Sequence, residues 1–325
     1  MTLAALGWTE HRQREFGPHA AQGLLPGRII GEHRTHYRVA TETAEHNATA
    51  TGRLRNAAKQ RSDVPGVGDY VALRPGLTGD DPMVIEAVLP RTSALIRKAA
   101  GERRPQLLAA NVDVVLIVMA LDGDFNLARL ERYLALVHAS GASPVIVANK
   151  TDLADDIAAR LAEVRAAAPG VPVHGLSTRT AGGTGELEQY FSANRTVALI
   201  GSSGVGKSTL TNQLLGAAVQ ATQEVRAYDN RGRHTTTHRQ LFIRPEGGSI
   251  MDTPGMRGLE MWDGDEAIAP DFEDIETLAR QCRFRNCQHG QEPACAVRAA
   301  MASGTLDAKR IAQFTEHINK SRPKW

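Results

Sequence analysis

Two hydrophobic rhythms divide the chain. Between Gly27 and about Lys98, apolar residues come in short runs separated by turn residues: Gly27-Arg28-Ile29-Ile30, Tyr37-Arg38-Val39-Ala40, Ala48 to Leu54, Asp69-Tyr70-Val71-Ala72-Leu73 and Met83 to Val88. Five short strands predict a small barrel over residues 27–98. At this size an oligonucleotide-binding barrel, an SH3-like barrel and a plain packing module read alike. Residues 1–26 show no clear period and hold Gly, Pro and mixed charge, so they read as a loosely attached leader.

From Val112 onward, apolar runs alternate with longer amphipathic stretches, the pattern of an α/β domain. Val112 to Ala120 predicts a buried strand, and Leu127, Leu130, Leu134 and Val137 then recur at helical spacing. Pro144 to Ala148, Val171 to His174 and Thr196 to Ile200 predict further strands, with helices at Ile157 to Ala167, Leu187 to Phe191 and Lys207 to Leu215. His238 to Arg244 and Ser249 to Met251 complete the sheet. Val297 to Met301 and Ile311 to Ile318 read as amphipathic helices with Lys309, Arg310, Lys320, Arg322 and Lys324 around them.

The strand ends carry the chemistry. Gly201-Ser202-Ser203-Gly204-Val205-Gly206-Lys207-Ser208 runs from a predicted strand into a predicted helix. Glycines there let backbone N–H groups approach phosphate oxygens, and the helix N-terminus adds positive potential. Lys207 is expected to pair with the β- and γ-phosphates and Ser208 to ligate Mg²⁺, with Thr209 as a further nucleotide contact. Asn149-Lys150-Thr151-Asp152 follows the buried Val145-Ile146-Val147 run. Asn149 and Asp152 are expected to offer complementary hydrogen bonds to a purine, the Asp152 carboxylate accepting from the ring N–H and exocyclic amino group of guanine, which adenine does not offer. Lys150 would lie along the base with its stem, and Ser177-Thr178 stands where contacts to the base oxygen are expected.

Asp252-Thr253-Pro254-Gly255 follows a strand end, which sets Asp252 beside the magnesium and lets the Gly255 N–H meet the γ-phosphate. The polar segment Arg231 to His238 has the character of a loop that orders around a third phosphate, and one of Thr235, Thr236 and Thr237 is expected in the metal shell. Many GTPases carry a water-orienting glutamine after this motif; here the residue is Met256, so intrinsic hydrolysis is expected to be slow, with His234 the candidate to take over. The base motif precedes the phosphate loop, the reverse of an ordinary GTPase. That order makes residues 99–262 a circularly permuted P-loop GTPase domain.

Charge and cysteine usage alter the picture at the two ends. The net charge of +2 conceals an uneven distribution: residues 1–110 carry 15 Lys+Arg against 11 Asp+Glu, residues 280–325 carry 9 against 3, and 111–279 carry 14 against 22. Basic flanks around an acidic middle point to a polyanion at the ends. All three cysteines fall in Cys282-x4-Cys287-x-His289-x5-Cys295, a ligand set suited to one closed, structural zinc site. With the basic tail, residues 263–325 read as a zinc-binding helical domain suited to RNA backbone contact. No apolar stretch approaches the roughly 20 residues that span a bilayer, and a reducing, cytosolic setting is expected. A small-substrate P-loop kinase would need an acceptor pocket and a dedicated acidic base, and a pure RNA-binding module would not need Lys207, Ser208 and Asp252 together.

The phosphate loop at 201–208, Gly-Arg-His-Thr-Thr-Thr at 232–237, the permuted Asn-Lys-Thr-Asp and the zinc ligands together resemble the ribosome small subunit-dependent GTPase (RsgA-like) family, across nearly the whole chain. The resemblance implies an OB-like N-terminal barrel and Thr236 as the switch ligand of Mg²⁺. It also implies a late assembly factor that binds the maturing small ribosomal subunit and its rRNA, and leaves after ribosome-stimulated hydrolysis of GTP to GDP. A monomeric, cytoplasmic protein with no membrane partner goes with it. Residues 1–26 have no counterpart in the family core.

Overall fold

The N-terminal runs close into a ring of strands. The computed structural model describes residues 2–33, 36–57, 61–76, 78, 81–97, 106–180, 183–216, 239–252, 278–279, 281–283, 287, 292–293 and 295–302. It divides the chain into two compact units, Met1–Asp263 and Gly264–Trp325. In the first, β1 (Leu25–Glu32), β2 (Tyr37–Ala40), β3 (Glu45–Ala50), β4 (Tyr70–Arg74) and β5 (Met83–Val88) pair in the order β1-β2-β3-β5-β4, and β4 returns to β1. The β3–β5 pair is parallel while the others are antiparallel. An SH3-type meander lacks that parallel pair, so the barrel has the oligonucleotide-binding topology.

The leader is not loose. It forms a 3-10 turn at Ala4–Leu6 and the helix α1 (Glu10–Ala20), capped by the Thr9 hydroxyl. Leu6 and Phe16 are buried, and Trp8 sits edge-on to Phe16 and Tyr70. The helical period escapes a sequence reading because the buried face of α1 is carried by Phe16 and a charged residue, Arg12. The Arg12 guanidinium is buried yet satisfied, donating to Pro90 O, Thr92 Oγ1 and Asn111 Oδ1. The expected strand from Ala48 to Leu54 also breaks early. Thr51 accepts hydrogen bonds from the backbone N–H groups of Leu54 and Arg55, ending β3 and starting the short helix α2 (Gly52–Ala57).

A hairpin absent from the sequence reading, β6 (Ala94–Arg97) with β7 (Gln106–Ala110), leads into the α/β sheet. There β8 (Val114–Ala120), α3 (Leu127–Ser140), β9 (Ser143–Asn149), α4 (Ile157–Ala167), β10 (Val173–Gly175), β11 (Thr196–Ile200), the helix α5 at 207–216, β12 (Gln240–Ile243) and β13 (Ser249–Asp252) follow in turn. A 3-10 segment occupies Gly185–Asn194. The spatial order is β10-β9-β8-β11-β13-β12, parallel except for β12. All seven residues of β8 are buried because the strand is covered on both faces. Val115, Ile117 and Met119 meet Leu130, Leu134 and Val137 of α3, while Leu116 and Val118 join the cluster holding Leu210 and Leu214 of α5.

The barrel covers the free edge of this sheet. Gly31 of β1 pairs with Gln240 of β12, Arg239 Nη1 donates to Leu107 O at 2.9 Å, and it pairs with Glu32 at 3.3 Å. Deeper in the junction, Arg28 is wholly buried and donates to Leu6 O, Gly68 O, Asn111 O and the Thr196 hydroxyl. One side chain thus joins the leader, the barrel, the β7–β8 turn and the first residue of β11. Arg28→Met would take the Arg28 donor from Asn111 O and leave Leu6 O to the Tyr70 hydroxyl and Gly68 O to the Asn111 amide alone, and we expect it to lower the unfolding free energy by about 3 kcal/mol in urea titration. An unchanged midpoint would show that the junction does not depend on this residue.

Candidate functional site

Strands β8, β9, β10, β11 and β13 are parallel, so their C-terminal ends share one edge of the sheet. An open α/β sheet binds ligands at that edge. The phosphate loop leaves β11 there, Asn149 ends β9, Ser177 follows β10 and Asp252 ends β13. Permutation has altered the chain order of these motifs without altering their spatial neighbours.

The phosphate loop requires glycine at two of its turns. Gly201 has φ +143° and a Cβ there would lie 2.0 Å from Val118 O; Gly206 has φ +99° and a Cβ would lie 2.2 Å from Asn149 Nδ2. Val205 is buried and anchors the loop in the core, while Ser203 and Gly204 are exposed. Lys207 opens α5, its Nζ donating to Gly201 O at 2.6 Å and to Ser202 O. Ser208 and Thr209 lie exposed in the same turn. A nest of N–H groups capped by an ammonium at a helix start is built to take phosphate oxygens.

Asn149 is fully buried, and its amide is committed to the protein. Nδ2 donates to Val205 O at 2.7 Å, while Oδ1 accepts from Thr178 N at 3.1 Å. It therefore clamps the phosphate loop to the Ser177-Thr178 loop. Gln213 of α5 adds a second tie, donating to Thr178 O at 2.7 Å. Lys150 takes a left-handed backbone, φ 62°, which turns the chain so that Asp152 follows at the surface. Thr151 N donates to Leu176 O at 3.2 Å, holding the base motif against the end of β10. The Ser177 hydroxyl donates to Asp152 Oδ1 at 2.6 Å. That bond, above all, holds the Asp152 carboxyl below the ordinary carboxylate range. An ionised carboxylate is acceptor-only, the form able to take hydrogen bonds from guanine donors.

Three further residues of this edge have no motif to announce them. Asp122, just past β8, accepts from Lys150 Nζ at 2.7 Å, and that bond first, with the Asp124 N–H second, lowers its carboxyl pKa. Arg129 of α3 reaches Ser202, and Gln213 reaches Thr178. Asp122 leaves no local signal, because its partner Lys150 is 28 residues away in the chain. His234, Thr235, Thr236, Thr237, Gly255 and Met256 lie outside the described residues, as does the expected helix at 311–318.

In the second unit, the ligand sulfurs of Cys282, Cys287 and Cys295 lie within 4.8 Å of one another, and Cys282 Sγ is 3.8 Å from Cys295 Sγ. Tetrahedral zinc with bonds of about 2.3 Å separates two thiolates by about 3.8 Å, so the sulfurs suit that ion. Burial raises the Cys282 pKa, but hydrogen bonds from the N–H groups of Val297 and Ala296 outweigh it and hold the thiol below its ordinary value. Both donors open the helix α6 (Ala296–Ala302). Arg298 N lies 3.5 Å from Cys295 Sγ, and Cys295 and Val297 form the small core here with Leu278. His289 lies outside the described residues. No helix among the described residues is long and apolar enough to cross a membrane.

A family model described as RsgA GTPase matches residues 88–262. The small ribosomal subunit biogenesis GTPase RsgA of Opitutus terrae is 46% identical over 327 residues, covering 97% of this chain and 88% of that protein. RsgA 2 of Lactiplantibacillus plantarum is 46% identical over 292 residues, covering 90% of this chain and 82% of that protein. Among solved structures, YjeQ from Thermotoga maritima superposes with TM-score 0.56 at 27% identity, over 92% of this chain and all of that one. YloQ, described as a circularly permuted GTPase, gives 0.53 at 28%, over 93% of this chain and 97% of its own. Identity of this extent along almost the whole chain, with the nucleotide motifs gathered at one sheet edge in permuted order, means that the chain belongs to the RsgA GTPase family.

Proposed function

We propose that this protein hydrolyses GTP as a maturation factor of the small ribosomal subunit, binding its rRNA and leaving when hydrolysis is stimulated by the subunit. The observation that carries the reading is the Asn149 clamp, which joins a base-reading loop to a phosphate loop at one edge. The names of the relatives from Opitutus terrae and Lactiplantibacillus plantarum support the ribosomal role. Guanine is read by Asp152, with Lys150, Thr151, Ser177 and Thr178 around the base. The phosphates are held by the N–H groups of 201–206 and by Lys207, and Gly255 reports the third phosphate. Ser208, Thr236 and Asp252 would hold Mg²⁺, which neutralises charge developing on the phosphate oxygens. Cys282, Cys287, His289 and Cys295 would hold one structural zinc, and the OB-like barrel and the basic tail from residue 280 onward contact rRNA. The protein acts as a monomer in the cytoplasm.

Turnover is expected to be slow alone, at Met256, and strongly stimulated by purified small subunits, with Lys207→Ala inactive in both conditions. Stimulation by large subunits or by naked rRNA alike would remove the assembly reading. His234→Ala is expected to keep GTP affinity and lose most of the stimulated rate, by about 10²–10³-fold if His234 orients the attacking water; full stimulated turnover would rule that role out. Metal analysis should find one zinc per chain, and Cys295→Ser should release it together with rRNA affinity while GTP binding persists.

A further inference from the structure

Arg129 stands in the first turn of α3, and its guanidinium crosses from that helix to the phosphate loop. Nη1 donates to both carboxylate oxygens of Asp124, at 2.9 and 2.8 Å, and to Ser202 Oγ. Ser202, the second residue of the loop, is 5% exposed, so its hydroxyl is fixed inside the fold. The start of α3 does not account for the arrangement, because Asn126 already caps it by accepting from Arg129 N at 2.9 Å.

Ser202 is gripped twice, and the two grips respond differently to a nucleotide. Lys207 Nζ holds the backbone carbonyls of Gly201 and Ser202. If Lys207 serves the β- and γ-phosphates, its ammonium must give up at least one of those carbonyls for a phosphate oxygen, because it has only three donors to distribute. Arg129 acts on the Ser202 side chain and leaves the loop's backbone carbonyls alone. Its planar head is set by Asp124, so little rotamer freedom is lost in maintaining the contact. Asp124 is itself positioned, its N–H donating to Asp122 Oδ1 at 3.0 Å, and Asp122 accepts from Lys150. The β8–α3 loop therefore touches the base motif through Asp122 and orients, through Asp124, the arginine that reaches the phosphate loop.

We propose that Arg129, oriented by Asp124, is a positioning residue for GTP binding and hydrolysis: through the Ser202 hydroxyl it keeps the phosphate loop in its phosphate-accepting form while Lys207 changes partners. The inference rests on reading 201–208 as the nucleotide site. Neither Arg129 nor Asp124 needs to touch the nucleotide. The effect should therefore appear in affinity for phosphorylated guanosine and leave the base-reading loop unaltered.

The test is a double-mutant cycle on the full chain, using a fluorescent GTP analogue, with steady-state kcat and KM and thermal midpoints measured alongside. Arg129→Ala and Ser202→Ala should each weaken binding about tenfold, the size of one charge-assisted hydrogen bond. The double variant should be no weaker than either single one, since both remove the same link, and Arg129→Lys should recover part of the loss. Losses that multiply in the double variant would overturn the proposal, and so would unaltered affinity in Ser202→Ala, which also decides the matter if Arg129→Ala fails to fold. A loss that only tracks a fall in thermal midpoint overturns it as well. Lys207→Ala separates the two levels: wild-type affinity in that variant would sink the nucleotide site itself.

Discussion

The candidate nucleotide site depends on a primary amide with no access to solvent. Asn149 has one acceptor and two donors to satisfy, and the fold gives it a loop on each side, Val205 O and Thr178 N. A buried amide left unpaired costs about 1–3 kcal/mol, so each loop fixes the other through this side chain. Gly206 must lack a Cβ because the Asn149 amide occupies that space. Sequence motifs that look like two independent recognition elements are therefore one mechanical object.

The second organising element is the guanidinium of Arg28, which does for the domains what Asn149 does for the loops. Its acceptors belong to segments far apart in the chain, Leu6, Gly68, Asn111 and Thr196. Thr196 begins the strand that ends in the phosphate loop. Barrel and nucleotide sheet are therefore connected both at an edge, through β1 and β12, and through a buried polar centre. A barrel held in this way reports displacement to β11 rather than swinging on a tether.

The strands of the α/β sheet are legible in the sequence because they are buried on both faces and read as continuous apolar runs, as in Val114 to Ala120 and Thr196 to Ile200. The motif residues are legible because phosphate and guanine chemistry demands particular types at fixed spacing. The helix α1 is not, since hydropathy counts Arg12 as a surface residue and its acceptors, at Pro90 and Asn111, are distant in sequence. The β6–β7 hairpin is missed because each strand is short, and the unbroken burial of Leu107 to Ala110 leaves no alternation to read. Arg129 and Asp122 are invisible for a related reason: their meaning lies in partners 73 and 28 residues away. Local pattern determines elements, while side-chain pairing across elements emerges only with the fold.

The permuted order also matters while the chain is being made. In the finished sheet β8 lies between β9 and β11, but β9 is synthesised soon after it and β11 much later. Until Thr196 to Ile200 emerges, one side of an entirely apolar strand has no partner, an interval of roughly 4–15 s at 5–20 residues per second. An uncharged, β-branched edge of that kind invites pairing with other chains. An ordinary GTPase, whose phosphate-loop strand is made first, has its central strand in place before the others arrive. Moving the termini thus transfers the hazard from the folded protein to its birth, and makes shielding of the nascent chain part of what this architecture demands of the cell.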